Sequence, residues 1–172
     1  MMKNQLKFSI IAIILLIGTT AVAQSFKFGH INSQELLQLM PERDSAQAVL
    51  ETYAQQLENQ LETMQVEYNN KVQNYLNEQE NYTDLIRQTK EQELNDLNER
   101  IQGFQATAQQ DLRRKESELI QPIITKAQNA VKAVGKENGF TYIFDIATGS
   151  VIYFSEKSED VLPLVKRKLG IE

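Results

Sequence analysis

Nine apolar or aromatic residues, Ala46, Leu50, Tyr53, Leu57, Leu61, Met64, Tyr68, Val72 and Tyr75, recur at spacings of four and three that repeat every eleven residues. That period corresponds to about 3.67 residues per turn, so the stripe barely drifts around a helix whose other faces carry Glu, Gln, Asn and Lys. The seam is too narrow to form a globular core and requires a partner. A second one answers it downstream: Leu94, Leu97, Ile101, Phe104, Ala108 and Leu112 recur at three and four, and Leu119 and Ile123 prolong the phase after Lys115 interrupts it. The polar stretch from Asn77 to Asp84 between them predicts the tip of an antiparallel helical hairpin.

On either side of this hairpin the pattern changes. Phe26 to Ile31 alternates large with small or polar residues, which predicts a short strand with Phe26, Phe28 and His30 on one side. Asn32 followed by Glu35 resembles a capping box. The helix it opens, bearing Leu36, Leu37, Leu39 and Met40, should stop before Pro41, because the residue preceding a proline is pushed out of helical geometry. Pro41 itself suits the first turn of the next helix, where a missing N–H costs nothing. The return helix contains two rule-breakers. Gly103 should weaken it by about 1 kcal/mol relative to alanine, and Pro122 removes a backbone hydrogen bond and should kink it.

Around Pro122, the residues Leu119, Ile120, Ile123 and Ile124 widen the apolar face, as expected where the helix enters a compact body. Gly135 and then Asn138-Gly139 close the helix in a way that permits a left-handed cap. The runs Phe140 to Asp145 and Val151 to Phe154, separated by Ala147-Thr148-Gly149-Ser150, predict a β-hairpin. Asp160 then caps a final amphipathic helix carrying Val161, Leu164, Val165 and Leu169, with Pro163 in its tolerated first turn. Three short strands, one parted from the others by the whole helical hairpin, must meet in one sheet, so the arms leave one side of a small body. Helices of roughly forty residues reach about 60 Å. So slender a molecule buries little apolar area, and self-association is the expected remedy.

The start of the chain is a separate story. Lys3 and Lys7 precede an apolar run from Phe8 to Ile17, followed by Gly18 and Ala21-Val22-Ala23. This is the pattern of a secretory signal peptide over residues 1–23, cleaved after Ala23, with an uncleaved anchor as the alternative. The chain has no cysteine, which excludes lipid attachment through one and leaves the exported product without disulfides.

Charge is unevenly spread. Between Gln34 and Leu112 stand five Lys or Arg against fifteen Asp or Glu, a net −10, whereas Gln24 to Ser33 and Arg113 to Glu172 carry +1 and +2. Nucleic acid is therefore not expected as a partner, since phosphate binding demands clustered cationic side chains. The two basic runs, Arg113-Arg114-Lys115 and Lys166-Arg167-Lys168, read as solvated helix surface.

The reacting groups of an enzyme are missing from the pattern. His30 is the one histidine, with no cysteine nucleophile to pair with it, and reads as a packed or surface imidazole. Glu91, Glu93, Asp96 and Glu99 cluster on the return helix, yet without His, Cys or a Gly-rich bend they describe a solvated face and not a metal cage. Thr148-Gly149-Ser150 is too short to cradle a phosphate. Neither metal nor other cofactor is expected.

In the order of these elements the chain resembles the Skp/OmpH family of periplasmic chaperones. The features that carry the likeness are the signal peptide, the opening strand Phe28 to Ile31, the segment Leu36-Leu37-Gln38-Leu39-Met40-Pro41-Glu42, the acidic and apolar arms, Gln121-Pro122-Ile123, and the closing Gly139-Phe140-Thr141-Tyr142-Ile143-Phe144-Asp145. The resemblance implies an α+β, mainly helical fold: a long antiparallel coiled-coil hairpin, 46–118, inserted in a small β-rich trimerisation body, 24–45 and 119–172. Three such chains would form a jellyfish-like homotrimer. It further implies ATP-independent holding of unfolded outer-membrane proteins in the periplasm. A structural spacer or adaptor without chaperone activity is the alternative, although a rigid spacer would avoid Gly103.

This chain departs from the family's best-known members in its acidic arms, where theirs are strongly basic, so stable membrane contact is not expected. It also has Asp160-Val161-Leu162 where many members carry Asp-Ile-Thr. Tyr68, Tyr75 and Tyr82, spaced by seven, and Phe104 are the candidates for touching client chains. Packing of the seam is the plainer reading for Tyr53, Tyr68 and Tyr75, and Tyr82 lies near the tip. Gly103 and Pro122 are the candidate arm hinges.

Overall fold

The computed structural model describes residues 26–171, so the signal-peptide expectation for residues 1–23 lies outside them. Strand β1 (Phe28–Ile31) leads directly into α1 (Ser33–Leu39), where Asn32 Oδ1 accepts the Glu35 N–H at 3.1 Å. Met40 takes extended geometry ahead of Pro41, which occupies the first turn of α2 (Pro41–Glu78). One 3₁₀ turn, Gln79–Asn81, reverses the chain. Thr83 then caps α3 (Asp84–Glu137), its hydroxyl oxygen accepting the Ile86 N–H at 3.4 Å. At 1.5 Å per residue the two long helices measure about 57 Å and 81 Å.

Pro122 lies inside α3 without ending it. The residue is exposed, as is Glu118 one turn earlier, so water can satisfy the carbonyl that the proline leaves without its helical donor. Beyond it Ile123, Ala127, Ala130 and Val134 recur at four, three and four, and all are buried in the body core. The helix ends as the glycines suggest. Gly139 sits at φ +70, and the Phe140 N–H reaches back to the Gly135 carbonyl at 3.0 Å, which closes the last turn.

The sheet departs from the sequence expectation. Its three strands are all parallel, in the order β2-β1-β3, with β2 (Tyr142–Asp145) and β3 (Glu159–Asp160) on opposite edges of β1. Val151 to Phe154 is not a strand, and the expected hairpin is not formed. The chain turns at Gly149, φ +70, but then crosses the sheet from the β2 edge to the β3 edge. Phe154 stacks on His30 with ring centroids 4.1 Å apart, which places this crossover on the outer face. High β-propensity in Val151 to Phe154 reports apolar, branched surface; pairing depends on which edge is available. Both edges of β1 are taken, and two parallel neighbours require a long connection between them.

The inner face of the sheet carries Gly29, Ile31 and Ile143 against α3 and α4 (Leu162–Leu169). Asp160 Oδ1 accepts the Leu162 N–H at 2.9 Å, so it serves the first turn of α4 as expected, although Val161 is the residue at the cap position. Two tight features hold this corner. A Cβ on Gly29 would lie 2.9 Å from Val161 Cγ1 and 3.0 Å from the Phe140 ring, and Val161 is fully buried. Asp145, opposite Ile31 in the register, accepts the Ser33 hydroxyl at 2.6 Å and the N–H groups of Ser33 at 3.2 Å and Ala147 at 3.0 Å. Burial pushes its carboxyl upward, but these donors outweigh burial and leave it below the usual carboxylate range.

At Gly103 the situation is the reverse of Gly29: the residue is exposed and an added Cβ meets nothing within 4 Å. Gly103→Ala should therefore stabilise the chain by about 0.5–1 kcal/mol, and Gly29→Ala should destabilise it by about 1–3 kcal/mol, read by urea unfolding at fixed protein concentration. Equal effects at the two sites would contradict this packing. Because the folded Asp145 carboxyl is depressed, its stabilisation is fully present above the unfolded value of about 3.9 and is lost as pH falls through the folded one. Wild type should thus lose more stability than Asp145→Asn when unfolding is measured from pH 5 down to pH 2.

Candidate functional site

Between Ala46 and Tyr75 every position of the first seam is buried or half-buried, and every other residue except Ala54 is exposed. The answering positions on α3, Leu94, Leu97, Ile101, Phe104, Ala108, Leu112, Lys115, Leu119 and Ile123, are likewise withdrawn from solvent. Midway along the arm Met64, Leu97 and Ile101 form a small core of their own, with Leu61, Tyr68 and Phe104 packed against it. The structure therefore brings Tyr68 and Phe104 into one cluster. Gly103, beside Phe104, faces solvent.

Lys115, the interruption in the seam, has a structural answer. Its ammonium lies 5.9 Å from the centre of the Tyr53 ring, and the Tyr53 hydroxyl donates to Asp111 across the arm. Asp111 also pairs with Arg114. A cation over a ring and a charge-assisted hydrogen bond replace one apolar contact, keeping the helices joined where the seam would otherwise lapse.

At the free end, the Tyr75 hydroxyl donates to Glu91 at 2.7 Å and the Tyr82 hydroxyl to Glu78 at 2.9 Å, with the two rings 6.1 Å apart and inclined by 43°. Each carboxylate, by accepting the phenolic hydrogen bond, stabilises the neutral phenol and raises the pKa of its tyrosine above the ordinary value. Around them Leu76, Leu85 and Ile86 stand 50%, 73% and 45% exposed. All three lie outside the two seams of the apolar periodicity. The signal was there in Leu85-Ile86, an aliphatic pair at the helix start where polar residues are usual.

A second exposed apolar surface lies at the base. Phe28, Tyr142 and Phe144 stack across β1 and β2 with centroids 5.9 to 6.4 Å apart, and Phe26 extends the row. The crossover covers this face only in part, leaving Ile152 and Tyr153 almost wholly in solvent. His30 belongs here too, its Nδ1 2.9 Å from Ser158 Oγ. Of the basic runs, Lys168 pairs with Glu137 and Arg114 is engaged by Asp111, while the α4 run sits at that helix's C-terminal end, where its dipole favours cations. Among the described residues no group of three His, Cys, Asp or Glu side chains could hold a metal ion, and no helix is long and apolar enough to cross a membrane.

The chain is thus a two-helix arm rooted in a small parallel sheet, with apolar surface exposed at its tip and its base. Residues 27–169 match the family described as Outer membrane protein (OmpH-like), and the chain belongs to that family. It is 25% identical over 154 residues to the Chaperone protein Skp of Pectobacterium atrosepticum, an alignment covering 89% of this chain and 93% of that relative.

Alkaline titration followed by tyrosinate absorbance tests the tip geometry. Glu91→Gln and Glu78→Gln should each bring one tyrosine's titration down toward the ordinary value of about 10. Unchanged curves would mean that the phenols do not face those carboxylates.

Proposed function

We propose that this chain, exported by a signal peptide cleaved after Ala23, is a periplasmic holdase that binds unfolded outer-membrane proteins without ATP and prevents their aggregation before they reach the outer membrane. Family membership and the likeness to a named chaperone support a non-enzymatic, chaperone role. The observation that carries the reading is the uncovered aromatic face at the base of the arm. Phe28, Tyr142 and Phe144 are 41–61% exposed, a surface a lone chain rarely leaves open and a second copy can cover. A homotrimer is what the resemblance implies, with its three arms bounding a space for the client.

Holding in such a space needs many weak contacts and adaptable walls. Tyr68, Phe104, Tyr75 and Tyr82 supply amphipathic surface if the seam opens or the arms lean on a client, and Gly103 and Pro122 are the positions at which an arm would bend. Release follows by transfer to a tighter acceptor, with no nucleotide involved. The arm, 46–118, carries seven Lys or Arg against fourteen Asp or Glu, and its net −7 favours clients with basic exposed segments; nucleic acid and stable membrane contact are not part of the reading.

Dilution of a denatured β-barrel protein into buffer with the processed chain should show light scattering suppressed near one assembled oligomer per client. Raising salt should weaken the hold on basic clients more than on acidic ones, since exposed charges are screened beyond about 10 Å at 0.1 M. No suppression at any ratio would favour the spacer alternative, and a monomeric mass in solution would remove the enclosed space.

A further inference from the structure

We infer that the tip of the arm is a docking site for unfolded polypeptide segments in which apolar side chains alternate with Lys or Arg. The inference rests on the holdase reading and assigns a place and a chemistry to client capture.

Leu76, Leu85 and Ile86 are large aliphatic side chains left open at the end of the arm farthest from the body, where neither the sheet nor α4 is available to cover them. At the same end of the arm a groove of about 320 Å³ lies between α2 and α3, lined in part by Tyr75, Tyr82, Glu78 and Glu93. The two phenols donate hydrogen bonds to Glu91 and Glu78, which enriches the rings in electron density while the protons stay on the phenols. Electron-rich rings beside carboxylates fit the stem and charged head of a lysine or arginine. The two cations that also line the groove do not occupy the rings: Lys90 is paired with Glu93 at 3.0 Å, and Lys71 lies 4.0 Å from Glu67.

Charge decides among occupants. From Lys71 to Glu93 the tip carries three cationic residues against five carboxylates, so a second arm tip would be repelled and an acidic segment disfavoured. A segment both cationic and apolar matches the chemistry of the groove and of the exposed aliphatic side chains. The hairpin seam is already occupied by its own partner helix, whereas the tip needs no rearrangement to receive a chain.

The experiment uses the processed oligomer and two fluorescent peptides of equal length, leucines interleaved with lysines in one and with glutamates in the other. The lysine peptide should bind about tenfold more tightly by anisotropy, and the Leu85→Ser/Ile86→Ser double variant should lose about five- to tenfold of that affinity. Val49→Ser/Val66→Ser, which removes comparably exposed aliphatic surface from the shaft of α2, should change it less than about twofold. Tyr82→Ala, with helicity checked by circular dichroism, should lower the preference for lysine over glutamate. Equal binding of the two peptides, or equal losses at tip and shaft, overturns the tip assignment while aggregation suppression by wild type leaves the holdase reading standing. Absence of suppression by wild type overturns both.

Discussion

The architecture depends on one strand being central. β1 has both of its edges occupied by segments from the far end of the chain, and the contact between Lys27 and Thr141 already spans 114 residues. Parallel neighbours cannot be joined by a tight turn, so the link from β1 to β2 must leave the sheet and return. In this protein that link is the arm itself. The roots of α2 and α3 are therefore pinned beside each other by backbone hydrogen bonds of the sheet, by the Ser33–Asp145 contact and by the apolar layer beneath, whereas among the described residues their free ends pack only within the hairpin.

This division of labour sets where stability resides. The body packs fully buried Leu36, Met40, Val161 and Val165, whereas the arm closes only a narrow line of contacts with one small cluster around Met64, Leu97 and Ile101. Polar contacts fill the weak points of that line, at Tyr53 with Asp111 and Lys115 and at Tyr75 with Glu91. A hairpin with so few buried apolar contacts belongs to the low-stability end of a structure, where local opening is easiest. The aromatic row at the base stays exposed in the single chain, and the association proposed for it would link the body's stability to protein concentration.

Much of this was legible in the order of residues. The two seams, the tip, the stop at Pro41 and the Gly139 cap follow from periodicity and backbone chemistry that act locally. What was not legible was pairing. Val151 to Phe154 has the composition of a strand, yet the two-residue strand Glu159–Asp160, polar and short, took the open edge of β1, because edge availability is a property of the assembled sheet. The seam phase likewise identified Tyr68 and Phe104 but not Leu76, Leu85 and Ile86. Periodicity finds residues that face a partner helix and is blind to those that face outward.

The matching periods of the two helices have a further consequence. The half-buried or buried positions Lys90, Ile101, Leu112 and Ile123 on α3 are also eleven apart, in step with Ala46, Leu57, Tyr68 and their companions on α2. Three helical turns of each strand of the arm therefore form one interchangeable module, rising about 16 Å. Removing or duplicating such a module in both helices keeps the facing seams close to phase, so the length of the arm can change in steps of about 16 Å without any redesign of the base.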